Sequence, residues 1–226
     1  MTPRVAPRRP IKARQTQWAA ALARLLLRLG VRPNQVSVLS MVFAGLAAGC
    51  ILASSIVSPT WAVLLLVTAA VFIQFRLLCN LLDGMLALEG GLKTPAGELF
   101  NDAPDRVSDT TVLLALGYAA TWTPWGVTLG WAAALLAMAT AYVRVLGGSA
   151  GAPQRFTGPM AKQQRMALVT TACLFAAMEA TVGWPAYAFT VTLAAIIIGC
   201  AATVVLRLAG IYADLNSQAG KPGTLR

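Results

Sequence analysis

The chain has 226 residues, 58% hydrophobic and 12% charged, with a mean hydropathy of +0.68 and a formal net charge of +10. Soluble domains carry roughly a quarter charged residues, so the composition excludes one and describes a polytopic membrane protein, with room for about six spans of ~20 residues and no separate soluble domain. The absence of histidine excludes histidine-based acid/base, nucleophilic and zinc chemistry, and positive charge beside membrane spans reports topology and anionic-lipid contact rather than nucleic acid.

Met1 to Arg14 is rich in Arg, Lys and Pro and reads as a basic arm, with the first apolar run too late for a cleavable signal peptide. In Gln15 to Leu29, the residues Trp18, Leu22, Leu25, Leu26 and Leu29 repeat at helical spacing while Arg14, Arg24 and Arg28 sit off that stripe. This predicts an amphipathic helix in the membrane interface, so that residues 1–34 form an arm and a juxtamembrane helix. Gly30 to Asn34 breaks it, and Asn34 or Ser37 is placed to cap the next helix.

A membrane domain follows over residues 35–210, all-α, with six transmembrane helices. The predicted spans are Val36 to Val57, Thr60 to Leu82, Asp105 to Thr121, Trp125 to Leu146, Met166 to Val182 and Tyr187 to Leu208. Residues 211–226 read as a flexible tail, with Ala213 to Arg226 polar and frayed. Cys50, Cys79, Cys173 and Cys200 lack paired spacing and read as small buried hydrophobes. Gly45 and Gly49 form a G-x-x-x-G on the first span, a spacing that lets helices approach closely.

Trp61, Trp122, Trp125, Trp184 and Tyr187 gather at one set of span ends, as an aromatic belt does. The turns Ser58 to Thr60, Thr121 to Trp125 and Val182 to Ala186 carry no Lys or Arg, whereas the amino terminus, Leu88 to Arg106, Arg144 to Arg165 and the carboxyl tail carry nearly all of them. By the positive-inside rule both termini and the polar loop face the cytoplasm of a cell or inner membrane.

One polar interruption, Asn80 to Asp109, contains six of the eight acidic residues. Carboxylates at the edge of a membrane mark function. Asn80, Asp83 and Ala87 share one helical stripe, with Gly84 opening the backbone beside them; Gly97, Asn101, Asp105 and Asp109 form another at steps of four. Joined by the turn Leu88 to Ala96, the stripes face each other if the helices pack antiparallel. Oxygen-rich stripes of this kind suit a hard divalent cation that keeps places for water and phosphate.

The arrangement resembles the signature of the CDP-alcohol phosphotransferases, D-x2-D-G-x2-A-R-x8-G-x3-D-x3-D. Here it stands as Asn80-x2-Asp83-Gly84-x2-Ala87-Leu88-x8-Gly97-x3-Asn101-x3-Asp105. Every spacing agrees; three identities differ, Asn80, Leu88 and Asn101. The segment Pro33-Asn34-Gln35-Val36-Ser37 resembles the short P-N-x-[IV]-[ST] stretch that precedes the family's first span. The resemblance implies transfer of a substituted phosphate group from a CDP-alcohol such as CDP-diacylglycerol to an acceptor alcohol, with release of CMP, in phospholipid synthesis by a homodimer. It also implies a metal shell of Asn80, Asp83, Asn101 and Asp105 holding one or two Mg²⁺ or Mn²⁺ ions, Asp105 as general base, and Gly84, Ala87 and Gly97 lining the nucleotide.

Asparagine binds a cation through its amide oxygen yet adds no charge, so two of the four site charges are missing. Asp102, Asp109 or Glu98 could supply them, a single ion could suffice, or the site could bind nucleotide without turning it over. Leu88 removes the family's arginine. Arg76, one turn before Asn80, is placed either to take over phosphate neutralisation or to snorkel to the headgroups. In the basic stretch Arg144 to Arg165, the residues Arg144, Lys162 and Arg165 are candidates for phosphate or acceptor contacts. A catalytically silent lipid-binding relative is the competing reading. A transporter fits poorly, because no continuous polar route crosses the later spans.

Overall fold

Proline punctuates the apolar runs and sets where the helices begin. Pro33 and Pro59 stand at first-turn positions of two long helices, where the missing N–H costs nothing and the fixed φ favours the turn. The computed structural model describes residues 16–92 and 97–219. The basic arm, residues 93–96 of the polar turn, the Glu98 side chain and residues 220–226 lie outside the described residues.

Among the described residues seven helices follow in order: α1 (Gln17–Arg28), α2 (Pro33–Ser54), α3 (Pro59–Glu89), α4 (Gly97–Ala119), α5 (Gly126–Ser149), α6 (Lys162–Thr181) and α7 (Tyr187–Ala219). No strand occurs among the described residues. The protein is an all-α membrane protein in which α2, α3, α5 and α7 are, by length and composition, apolar enough to cross a bilayer. Helices α4 and α6, which carry Asp105, Asp109, Lys162 and Arg165, are not among them.

Helix α2 packs against both α3 and α4, α3 against α6, and α5 against α4 and α7, while α6 also meets α7. The core between them is rich in alanine, with Ala47 and Ile51 of α2, Ala69 and Ile73 of α3, and Leu113 and Leu116 of α4 fully buried. Small residues bring backbones together where lipid gives no hydrophobic drive for helix pairing. Helices α3 and α4 do not pack closely on each other among the described residues, so the two polar stripes face a gap bridged by side chains.

Several expectations change. Helix α1 forms as predicted, but its apolar stripe divides: Ala19 and Ala23 are buried against Leu82, Met85 and Leu86 of α3, with Leu22 and Leu26 half-buried beside them. Trp18, Leu25 and Leu29 point outward. Neither Asn34 nor Ser37 caps α2. The cap is Arg32, whose backbone N–H donates to Gln35 Oε1 at 2.9 Å. A methyl group on Gly45 or Gly49 would meet nothing within 4 Å, so the G-x-x-x-G joins no helices among the described residues. Close approach falls at α4 and α5, where a Cβ on Gly117 would lie 2.7 Å from Gly130 Cα and 2.9 Å from the Gly126 carbonyl.

The tail is helical further than expected, because α7 runs on to Ala219. Asp214 on this extension accepts two hydrogen bonds from Arg155, at 2.8 and 2.6 Å, and Arg155 lies across Gly210. That pair gives a polar segment the tertiary support its hydropathy lacks. The four cysteines are free, and all but Cys50 are buried. Trp122 and Tyr187 meet edge to face with centroids 4.8 Å apart, and Trp61, Trp122, Trp125 and Trp184 are all exposed, as belt residues must be.

Candidate functional site

The carboxyl end of α3 continues as helix to Glu89, which keeps Arg76, Asn80, Asp83 and Ala87 on one face beyond the apolar run. Helix α4 begins at Gly97, earlier than the predicted span, and carries Asn101, Asp105 and Asp109 on a second face. Polar residues do not stop a helix; they only hide it from a hydropathy reading.

Asp83 is buried. Its Oδ2 accepts from Ser37 Oγ of α2 at 2.7 Å, and its Oδ1 accepts from Asn101 Nδ2 of α4 at 3.3 Å. Its charged neighbours are Asp105 and Lys162. Gly84 is buried beside it; Ala87 and Gly97 are half-buried, and Leu88 is exposed. The Asn80 amide nitrogen is buried without a hydrogen-bond partner.

Asp105, also buried, accepts a hydrogen bond from Lys162 at the first residue of α6, with Arg76 Nη2 4.0 Å from the same Oδ1. One turn further on, Asp109 is clamped between two buried guanidiniums. Arg76 Nη2 donates to Oδ1 at 2.5 Å and Arg165 Nη2 to Oδ2 at 2.7 Å. Arg76 is 0% and Arg165 1% exposed. Arg165 also donates to the Met160 carbonyl at 3.0 Å. As placed, these two arginines hold α3, α4 and α6 together and present no surface to a phosphate, and Arg76 does not snorkel.

Arg144 of α5 lies apart from this row. It donates to Asp102 Oδ2 at 2.6 Å and sits over the Phe156 ring, while Arg106 flanks Asp102 at 3.8 Å. Asp102 therefore turns toward α5 rather than supplying charge opposite Asp83. Lys162 and Arg144, each about 20% exposed at the side chain, remain the cations of the candidate set with a solvent-facing part.

The structure thus brings Asp83, Asn101, Asp105, Lys162, Arg76 and Arg165 into one polar row and leaves Arg144 apart from it, on Asp102. Ser37, a cap candidate by sequence, is instead the partner of Asp83. A hydroxyl just inside an apolar helix was the available signal. Asp109 was visible as the last member of its stripe, but its pairing with Arg76 and Arg165 was not.

Among the described residues, no group of three or more His, Cys, Asp or Glu side chains could hold a metal ion. The donors that suit a hard divalent ion are the Asp83 carboxylate and the amide oxygens of Asn80 and Asn101. Asn80 is half-buried, and the amide atom left without a partner is its nitrogen, a donor; its carbonyl oxygen is the atom that would meet a cation. These residues fit one cation. They do not fit a pair, because Asp105, the remaining carboxylate of the motif, is occupied by Lys162.

Solved structures share the fold around this charged row. They are structures of the phosphatidylinositol phosphate synthase (PgsA1) of Mycobacterium tuberculosis. With CDP-DAG bound, it matches at a TM-score of 0.74 and 21% identity over 93% of this chain and 100% of that one. In complex with manganese and citrate, it matches at 0.70 and 22%, over 86% and 88%. The apo form matches at 0.68 and 22%, over 85% and 95%. No protein-family model matches the chain, and no curated protein does. At this identity the likeness establishes the fold.

Proposed function

We infer that the chain is a divergent CDP-alcohol phosphotransferase, transferring a phosphatidyl group from a CDP-alcohol such as CDP-diacylglycerol to an acceptor alcohol and releasing CMP in phospholipid synthesis. The observation that carries this reading is the conjunction of two things: a polar row with Asp83 and Asp105 at the motif spacing, and a fold shared with a synthase solved with CDP-DAG bound.

Asp83, held by Ser37 and Asn101, is the carboxylate that would hold a divalent cation together with the Asn80 and Asn101 oxygens. Bound there, Mg²⁺ or Mn²⁺ would supply charge neutralisation for the donor's pyrophosphate. Asp105 accepts the proton of the acceptor hydroxyl, and Lys162 and Arg76 fix its orientation. Gly84, Ala87 and Gly97 leave room for the nucleotide. Lys162 and Arg144 face phosphate, while Arg76 and Arg165 act through Asp109 as positioning residues. Helices α2 to α7 make six spans of one membrane domain, with both termini and the site on the cytoplasmic side, as the Lys and Arg distribution supports. The homodimer rests on the family resemblance.

The test is CMP release from CDP-diacylglycerol by the purified chain in detergent, with Mg²⁺ or Mn²⁺, across a panel of acceptor alcohols. Release that needs an acceptor and disappears in Asp83→Ala and Asp105→Ala is the expected result. Asn80 and Asn101 favour a second reading, a silent CDP-lipid-binding relative. Tight binding of CDP-diacylglycerol with no release from any acceptor would establish that instead.

A further inference from the structure

The polar row is crowded with cations that belong to the chain. Lys162 is bonded to Asp105 Oδ1, and Arg76 Nη2 stands 4.0 Å from that same oxygen. Asp109 is shared by Arg76 and Arg165. The three buried carboxylates Asp83, Asp105 and Asp109 are thus matched by three side-chain cations, whereas the two motif positions that would add negative charge are Asn80 and Asn101. A divalent ion placed on Asp105 would sit against an ammonium and a guanidinium with most of the water gone, where repulsion between like charges is far stronger than in solution.

Resting on the proposed reading of this site, we propose that Lys162, and not a divalent cation, is the resident counter-charge of Asp105. The site then holds at most one divalent ion, on Asp83 with Asn80 and Asn101. Asn80 and Asn101 leave the row without the negative charge that a second ion would need, and the tethered charge of Lys162 meets Asp105 in its place. Lysine suits the task because its ammonium is a compact point charge on a flexible stem. Its position at the start of α6, one turn before Arg165, links it to the helix that also clamps Asp109.

The experiment is a Mn²⁺ titration of the full chain in detergent, with free Mn²⁺ read by its electron paramagnetic resonance signal. It uses wild type, Asp83→Asn, Asp105→Asn and Lys162→Met, with thermal unfolding of each measured with and without Mn²⁺. The expected result is no more than one Mn²⁺ per wild-type chain, an unchanged count in Asp105→Asn and loss of binding in Asp83→Asn. In Lys162→Met, Asp105 is freed, so Mn²⁺ should raise the unfolding temperature by more than it does in wild type.

Two ions per wild-type chain, or loss of an ion in Asp105→Asn, would overturn the proposal. So would a Mn²⁺ response in Lys162→Met no larger than in wild type. Should Lys162→Met not fold, the wild-type and Asp105→Asn counts decide alone. No Mn²⁺ binding at all would support the lysine assignment and remove the metal from the proposed function. Absence of CMP release from a preparation that binds one Mn²⁺ would defeat the transferase reading while leaving the lysine assignment supported.

Discussion

Arg76 on α3 and Asp109 on α4 are joined at 2.5 Å, and the guanidinium has no exposed surface. With few close backbone contacts between those helices, this pair does much of the joining, and Arg165 extends it to α6. Breaking a buried pair by deleting one partner leaves an uncompensated charge and costs about 3–5 kcal/mol. Asp109→Ala orphans two arginines at once, so it is expected to fall at or beyond the upper end of that range. Thermal unfolding in detergent, followed by tryptophan fluorescence, should show a drop larger than that for Asp105→Asn, whose partner Lys162 can reach solvent. Equal drops would mean that the clamp contributes nothing special.

Ser37 supports the site from outside the motif. Its hydroxyl donates to Asp83 Oδ2 at 2.7 Å, and hydrogen bonds to charged groups contribute about 1.5–3 kcal/mol. Ser37→Ala should therefore lower stability by about 1.5–3 kcal/mol, seen as a lower unfolding temperature, and should reduce CMP release because Asp83 loses the bond that orients it. Ser37→Thr should restore most of the loss, because it returns the donor. A role in packing alone would instead show as a stability change that the threonine does not relieve.

Much of this was readable in advance for a physical reason. Long apolar runs broken by Pro and Gly locate spans, and side chains three and four residues apart share a face, so both stripes could be drawn before any coordinate. What could not be drawn were contacts between stripes. Asp83 meets Ser37 and Asp109 meets Arg165 across dozens of residues of chain, and local periodicity carries no information about such pairs. Helix ends failed similarly: α3 past Leu82, α4 before Asp105 and α7 past Leu208 are helical, but hydropathy registers only the apolar middle of each.

The glycines offer a test of which crossing is tight. A Cβ on Gly117 would meet the backbone of Gly130 and Gly126 below 3.0 Å, and backbone cannot step aside as a side chain can. Gly117→Ala should destabilise by about 1–3 kcal/mol, the usual range for overpacking, seen as a lower unfolding temperature. Gly45→Ala and Gly49→Ala, opening onto free space, should leave it unchanged. If the homodimer uses α2, bulkier Gly45→Leu should shift the chain toward monomer on size-exclusion chromatography while that temperature holds.

The clasp between Arg155 and Asp214 is the remaining device that sequence alone did not show. It fastens the segment between α5 and α6 onto the extension of α7 with two hydrogen bonds, and the same segment leads into Lys162 at the start of α6. Because both side chains are partly exposed, the pair should add little to global stability, and its effect should be local. Asp214→Ala is expected to speed tryptic cleavage at Arg155 without lowering the unfolding temperature, whereas Asp214→Glu, which keeps a carboxylate, should retain much of the protection. If the loop is held mainly by packing around Gly158 and Thr203 instead, where a Cβ on the glycine would strike the threonine, cleavage in Asp214→Ala will match wild type.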